Sequence, residues 1–175
     1  ADDKEKDRLT AFISANGLKM VCIMLTHCHF DHIYGVAELA KEFGIPVYMH
    51  EAEKYTMEVT NPYVCKAYGL PLPDTSFAAA GTAEGSAAML TDNGAVVPAG
   101  DSAGNSAVIP AGDGAVVPTV DGAVIEVGTL RFEVIFTPGH SRGGVCYYEP
   151  AEKVLFSGDT LFAGAIGRTD HPGGD

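Results

Sequence analysis

The chain has 175 residues, of which 46% are apolar and 19% charged, a composition that can build one hydrophobic core. We therefore expect a single domain over residues 1–175. The net charge of −12 repels nucleic-acid phosphates and anionic lipids, which excludes nucleic acid and membrane as expected partners. No apolar run approaches the roughly 20 residues that cross a bilayer, and residues 1–10 do not resemble a signal peptide.

The N-terminal part of the chain alternates helical and strand-like patterns. Three helices are predicted, over residues 3–16, 35–43 and 51–59. Two strands are predicted between them, over residues 18–26 and 46–50. Asn61 and Pro62 are expected to end the third helix. This order predicts βαβ layering and an α/β fold.

Residues 76–121 differ in composition from the rest of the chain. Alanine, glycine and serine dominate, and lysine and arginine are absent. Short β-branched runs bounded by glycine or aspartate repeat at residues 94–101, 106–113, 114–121 and 122–129. Each unit is too short to bury a face alone, and the proline of the first three restricts them to edges or turns. We interpret residues 76–121 as a low-complexity Ala/Gly-rich repeat insertion, either a surface spacer or a lid.

The C-terminal part is predicted to be all β. Four strand-like runs occupy residues 124–128, 129–136, 144–149 and 153–158. Two loops, 137–144 and 157–162, directly follow strand ends. Binding sites of layered α/β folds gather at such strand ends, so these loops are candidates for a functional site.

Four potential metal ligands occur within six residues directly after the first predicted strand: His27, His29, Asp31 and His32. On a tight loop, the side chains of His27 and His29 can converge on one ion. Asp31 and His32 project onward, towards a second ion beside it. Neutral imidazole is a ligand for zinc, iron, nickel or copper, and the carboxylate favours a hard or borderline divalent ion. This density of imidazoles predicts a metal site.

Two further candidate ligands follow strands at glycine turns, His140 in TPGHS and Asp159 in SGDTLF. Glycine permits the backbone conformation that turns a short side chain into a cleft. The full set then comprises three histidines for one ion, a pair of residues for a second ion and one bridging carboxylate: His27, His29 and His140, then Asp31 and His32, then Asp159.

The remaining histidines and the cysteines are expected to have structural roles. His50 and His171 are isolated and are interpreted as polar surface or capping residues. Cys28 lies between two alternating ligands, so its side chain is expected to point away from them into the core. The cysteines form no CxxC motif and lie among apolar neighbours, which predicts reduced thiols in a cytoplasmic protein: Cys22, Cys28, Cys65 and Cys146.

Four sequence motifs carry a family resemblance. They are THCHFDH at 26–32, TPGHS at 137–141, FSGDTLF at 156–162 and IGRTDHPGGD at 166–175. Together they resemble the motifs of metallo-β-lactamase-fold hydrolases, and most closely those of the hydroxyacylglutathione hydrolase (glyoxalase II-like) branch. The resemblance covers about residues 3–75 and 121–175 and leaves the repeat segment unmatched.

The resemblance implies an α/β fold of the αββα sandwich type, with a metal site at one edge of the sheets. Family members have strands before the first helix and a further histidine after the GRTD block, so the sandwich is expected to be incomplete at both termini. The expected cofactor is one or two zinc ions, with iron or manganese as alternatives. The implied ligands are His27, His29 and His140 for the first ion, Asp31 and His32 for the second, and Asp159 for both.

The activity that the resemblance implies is hydrolysis of a small-molecule thioester of the S-acylglutathione type by a metal-activated hydroxide. Asp31 is expected to orient the nucleophile and accept its proton. A thiolate leaving group needs no strong general acid, since the pKa of a thiol is about 8.5. Arg168 is a candidate substrate-binding residue, with an ion pair to Asp170 as the alternative.

Other hypotheses stay open on the sequence alone. A mononuclear iron persulfide dioxygenase would use only His27, His140 and Asp159, a set of two histidines and one carboxylate. A third hypothesis is a chain that binds metal without catalysis, or one that exists only as a homo-oligomer with exchanged elements. A β-lactam hydrolase is disfavoured, because no secretory segment is recognised and the GRTD block indicates another branch.

Overall fold

The structure is a computed structural model that describes residues 3–79, 88–90, 96–98 and 115–175. All helices of these ranges lie before residue 80. They are α1 (Asp3–Ala15), α2 (Phe30–Ile33), α3 (Val36–Phe43), α4 (Glu53–Tyr55) and α5 (Asn61–Tyr68). A π turn at Thr56–Thr60 joins α4 to α5, and a 3₁₀ turn spans Ser76–Ala79.

The strands of the described ranges form two sheets and a small hairpin. Their bounds are β1 (Ile23–Met24), β2 (Val47–His50), β3 (Ala88–Leu90), β4 (Val96–Pro98), β5 (Val116–Thr119), β6 (Val124–Val127), β7 (Leu130–Phe136), β8 (Val145–Glu149), β9 (Val154–Phe156), β10 (Leu161–Phe162) and β11 (Ala165–Ile166). The first sheet is parallel, in the order β1–β2–β5. The second has the order β4–β3–β6–β7–β8–β9 and is antiparallel except between β3 and β6. β10 and β11 pair as an antiparallel hairpin.

Alternating side chains of the parallel sheet face two different cores. Val47 and Met49 of β2 pack in one core with residues of α3. Tyr48, between them, packs in a second core with Val134 and Val145 of the antiparallel sheet. This alternation is the period of two that a strand imposes on its side chains. The layers are therefore helices, parallel sheet and antiparallel sheet, which confirms the predicted α/β sandwich.

Two N-terminal predictions are wrong in their bounds. The apolar run 18–26 forms a strand only at Ile23–Met24. The third helix does not end at Asn61 and Pro62, since the helical path continues through the π turn into α5. Pro62 lies in the first turn of α5, where a missing backbone N–H removes no helical hydrogen bond.

Both ends of the predicted insertion 76–121 belong to the core. Residues 116–119 form β5, which pairs in parallel with all four residues of β2. Phe77, at the other end, is buried in the helix-side core. The prediction of a peripheral segment is therefore wrong for these residues. Pro118 is tolerated because β5 is the last strand in the order of its sheet. Of the repeats, residues 106–113 and most of 94–101 lie outside the described residues.

The predictions for the C-terminal part are confirmed. The four predicted strands correspond to β6, β7, β8 and β9. Phe132, Val134 and Phe136 of β7 face the core between the sheets, because alternate residues of a strand share one face. All four cysteines lie in the described residues, and none of them forms a disulfide. No helix within the described ranges is both long and apolar enough to cross a membrane.

Two hydrogen bonds from strand β8 bind the backbone at the start of the histidine-rich segment. The Tyr147 phenol donates a hydrogen bond to the carbonyl oxygen of Leu25 at 2.8 Å. The backbone N–H of Val145 donates to the carbonyl oxygen of Thr26, also at 2.8 Å. Both contacts join the two sheets where the chain leaves β1. The fold thereby fixes the backbone immediately before His27.

We expect Tyr147→Phe to lower the free energy of unfolding by about 1–2 kcal/mol, because the buried carbonyl oxygen of Leu25 loses its phenol donor. Urea unfolding measures this change. Tyr63→Phe is the control, since Tyr63 is 63% exposed and its hydroxyl has access to water. Equal unfolding free energies for Tyr147→Phe and the wild type would contradict the prediction.

Candidate metal centre

Three imidazoles converge between two loops. His27 and His29 lie after β1, and His140 lies on the loop between β7 and β8. One nitrogen of each ring lies within 4.8 Å of a nitrogen of the other two, and His29 Nδ1 is 2.8 Å from His140 Nε2. His27 and His29 are both buried. This set of three nitrogens could hold one divalent cation.

A second cluster shares His27 with the first. It adds His32 from α2 and Asp159 from the turn after β9, and the possible ligand atoms of the three again lie within 4.8 Å of one another. His32 Nε2 is 3.4 Å from Asp159 Oδ1, and His140 Nε2 is 3.6 Å from Asp159 Oδ2. The Asp159 carboxylate therefore contacts one histidine from each cluster, which is the position of a bridging ligand.

The surroundings leave nitrogen lone pairs available in the first cluster. His140 Nδ1 donates to the carbonyl oxygen of Arg168 at 2.7 Å, so Nε2 keeps its lone pair. His27 Nδ1 is 3.3 Å from the Thr26 hydroxyl, while His27 Nε2 is buried with no hydrogen-bond partner in the described part of the chain. A buried, unpaired nitrogen is unfavourable unless something binds it. The set of histidine nitrogens and the unpaired Nε2 of His27 both fit the binding of a divalent cation.

Electrostatics keep the buried rings neutral. Burial, followed by the neighbouring imidazoles, lowers the pKa of His27 to about 2 and that of His29 to about 3. Both rings are therefore uncharged at pH 7 and can donate a lone pair to a cation. Burial also raises the pKa of the Cys28 thiol well above its usual range. Cys28 packs in the helix-side core, away from the clusters, as the sequence predicts.

Asp31 lies outside both clusters, which differs from its predicted place beside His32 in a second ligand set. Its carboxylate is 58% exposed, and its Oδ2 is 3.9 Å from His32 Nε2. α2 begins at Phe30, so Asp31 lies in the first turn of a helix. The structure places His27 in the second cluster instead.

Two glycines allow the ligand loops to approach one another. A Cβ at Gly167 would overlap the carbonyl oxygen of Asp159 and lie 3.1 Å from His140 Nδ1. A Cβ at Gly158 would overlap the side chain of Thr26, beside His27. These close contacts give the glycines of the SGDT and GRTD motifs a steric role in bringing the loops together.

The clusters open into a cleft of about 710 Å³. Much of its lining is apolar, from Phe30, Val64, Tyr68, Leu70 and Phe162. Asp31 also lines it, although it belongs to neither cluster. The site therefore combines cation ligands with an apolar wall, an arrangement that suits a small organic substrate.

Arg168 lines the same cleft but has a partner within the chain. Its guanidinium donates two hydrogen bonds to the carboxylate of Asp170, at 2.6 and 2.8 Å. The ion pair considered as the alternative for Arg168 is thus present. The carbonyl oxygen of Arg168 also orients His140, a role of the backbone that no residue pattern indicates.

The two isolated histidines differ in their environment. His50 Nδ1 accepts a hydrogen bond from the N–H of Ala52 at 3.2 Å, a contact within its own segment and away from the clusters. His171 lines the cleft, with its ring centroid 5.8 Å from that of His29. His171 therefore lies at the surface of the cleft and belongs to neither cluster.

Comparison with known proteins adds family information to this geometry. "Probable metallo-hydrolase YqgX" of Bacillus subtilis is 32% identical over 171 residues, which cover 98% of this chain and 64% of that protein. "Hydroxyacylglutathione hydrolase GloC" of Haemophilus influenzae is 28% identical over 172 residues, with the same shares of 98% and 64%. The chain thus spans less than two thirds of the length of these relatives.

A solved structure has the same fold. TTHA1623, crystallised in a di-iron-bound form, superposes with a TM-score of 0.65 at 30% sequence identity. The superposition covers 97% of this chain and 65% of that one. Residues 4–175 match the sequence pattern described as the Metallo-beta-lactamase superfamily. With two packed sheets and convergent histidine loops, the chain belongs to the metallo-beta-lactamase superfamily.

Proposed function

We propose that this chain carries the catalytic metal centre of a hydrolase that cleaves thioesters of the S-acylglutathione type. The observation that carries the proposal is the convergence of four histidines and one carboxylate beside an apolar cleft. The name of the GloC relative supports a thioester of glutathione as the substrate class, at 28% identity. The YqgX relative supports the broader class of metallo-hydrolase.

His27, His29 and His140 would hold one cation, while His32 and Asp159 would hold a second one with His27. Zinc is the first candidate, and iron or manganese also suits histidine and aspartate ligands. The di-iron form of TTHA1623 supports iron as an alternative. A bound cation of this kind polarises a carbonyl oxygen and lowers the pKa of water to about 7.

The chain's own residues then position the ligands, accept a proton and receive the substrate. The carbonyl of Arg168 holds His140, and burial keeps His27 and His29 uncharged. Asp31 lines the cleft, and its carboxylate is the proposed acceptor of a proton from the attacking water. The apolar wall can receive the acyl group. No residue has to protonate the leaving group, since a thiolate, with a pKa of about 8.5 for its thiol, departs readily.

The test is release of thiol from an S-acylglutathione by the zinc-loaded chain, followed with a thiol-reactive dye. We expect turnover that a chelator abolishes and that added zinc restores. A parallel assay with the iron-loaded chain and glutathione persulfide follows oxygen uptake, and a third assay follows opening of a chromogenic β-lactam. Oxygen uptake or β-lactam opening without thiol release would contradict the proposal, and so would zinc binding without any turnover.

Replacement of His27 tests the shared position of this residue. Wild-type protein is expected to bind up to two zinc ions. His27→Ala should bind less zinc than either His29→Ala or His32→Ala, because it removes a ligand from both clusters. Equilibrium dialysis followed by elemental analysis measures the zinc content. The control is His50→Ala, which should bind as much zinc as the wild type. If His27→Ala bound as much zinc as His29→Ala and His32→Ala, the shared role of His27 would be refuted.

Replacement of Asp159 tests the bridging carboxylate. We expect Asp159→Asn to lower kcat/KM for the thioester by at least about 100-fold, because the amide carries no charge to hold two cations. The urea midpoint of the metal-free protein should change little. Asp7→Asn, on the exposed side of α1, is the matched control and should keep its activity. A fall of less than tenfold for Asp159→Asn would exclude a central role.

Replacement of Arg168 and Asp170 tests recognition of the substrate's carboxylates. The hydrogen bond from Arg168 lowers the pKa of Asp170 to about 2, so the ion pair persists across the usual assay range. If the guanidinium binds substrate, Arg168→Gln should raise KM up to about fivefold at constant kcat. Asp170→Asn removes the charged partner of the guanidinium and should lower KM. Unchanged KM values in both variants would assign Arg168 a structural role only.

A further inference from the structure

A buried carboxylate links the two loops that carry the first histidine cluster. Glu53 is only 1% exposed. Its Oε2 accepts a hydrogen bond from the N–H of Cys28 at 2.6 Å, and its Oε1 accepts one from the N–H of Gly143 at 2.7 Å. Cys28 lies between His27 and His29, and Gly143 lies three residues after His140. One side chain therefore contacts the backbone of both ligand loops.

The helical stretch from α4 to α5 also binds the carbonyl oxygen of Cys28. The Asn61 amide donates to the carbonyl oxygen of Cys28 at 2.9 Å, so Glu53 and Asn61 bind the two backbone groups of the same residue. Eight positions make about 2.2 turns of an α-helix, which would put the two side chains on different faces. The intervening π turn takes up one additional residue, and the remaining seven positions make close to two full turns.

Close approach of the second loop depends on the absence of a side chain at residue 143. A Cβ there would lie 2.8 Å from the backbone nitrogen of Glu53 and 2.9 Å from its Cγ. Glycine removes this conflict and lets its N–H reach the carboxylate. The two N–H groups lie 2.6 and 2.7 Å from the carboxylate oxygens, which is short for hydrogen bonds of this type.

We propose that Glu53 is a positioning residue for the metal centre, because it fixes the separation of the loop of His27 and His29 from the loop of His140. The inference rests on the proposed metal centre and deepens it. Glu53 belongs to neither ligand cluster, so it acts through the backbone that carries the ligands. Its loss should change how the site binds a cation more than it changes the stability of the metal-free chain.

The experiment compares Glu53→Gln with Glu149→Gln. Glu149 is a second buried carboxylate, 4% exposed, whose Oε2 accepts a hydrogen bond from the N–H of Glu152 at 2.6 Å. Competition with a chromophoric chelator gives the zinc affinity, and the visible spectrum of bound cobalt reports the ligand geometry. Urea unfolding of the metal-free proteins gives their stability. We expect Glu53→Gln to weaken zinc binding about 10–100-fold and to alter the cobalt spectrum. The glutamine amide has a single acceptor oxygen, so it can accept a hydrogen bond from only one of the two loops.

Glu149→Gln should leave zinc affinity and the cobalt spectrum as in the wild type, even where it lowers the urea midpoint. Equal zinc affinities for Glu53→Gln and the wild type would overturn the proposal, as would an equal loss of affinity in the two variants. Glu53→Asp serves if Glu53→Gln does not fold, because it keeps the charge but is one methylene too short to reach both loops. Wild-type zinc affinity in Glu53→Asp would likewise overturn the role.

The two proposals fail in different ways. If the wild-type chain binds zinc but releases no thiol from an S-acylglutathione, the proposed activity is overturned. The role of Glu53 is then still decided by the zinc affinities of the wild type and the variants. A wild-type chain that hydrolyses the thioester, together with a Glu53→Gln variant of unchanged zinc affinity, keeps the activity and overturns the role of Glu53.

Discussion

The whole site depends on holding several uncharged imidazoles in contact with one another inside the protein. Rings at centroid separations of 4.1–4.8 Å, as between His27 and its three histidine neighbours, repel one another if protonated, and burial makes protonation still less favourable. The rings are held by groups that are not ligands. The Thr26 hydroxyl and the Arg168 carbonyl lie beside Nδ1 of His27 and His140, and β8 binds the backbone before His27. Packing between the sheets thus produces the ligand geometry.

The candidate ligands can be recognised in the sequence because their signal is local. Histidines at alternate positions after an apolar run indicate a site directly, and the inward direction of Cys28 follows from the same alternation. The structure places Asp31 outside both clusters, in the first turn of a helix that begins inside the motif rather than on an extended loop. Pro62 gave a wrong helix end for a related reason, since proline is favourable in a first turn and unfavourable only further along.

Other features have no local signal. The repeat units at 94–101 and 114–121 both begin GAVVP, so composition does not distinguish them. Pairing with β2 is what makes 116–119 a buried strand. Glu53 similarly binds backbone groups 25 and 90 positions away, and its partners are N–H groups that nearly every residue type offers. Such contacts depend on the tertiary fold, and a single sequence contains no periodicity that reveals them.

The parallel pairing of β2 with β5 joins residues 47–50 to residues 116–119 across a long connection. Closing such a connection has an entropic cost that grows only with the logarithm of its length, and each doubling adds about 0.6 kcal/mol. Gain or loss of one eight-residue repeat unit would therefore change this cost by a small fraction of that value. Duplication of repeat units can therefore lengthen the connection during evolution, and loss of units can shorten it, while the ligand loops keep their positions.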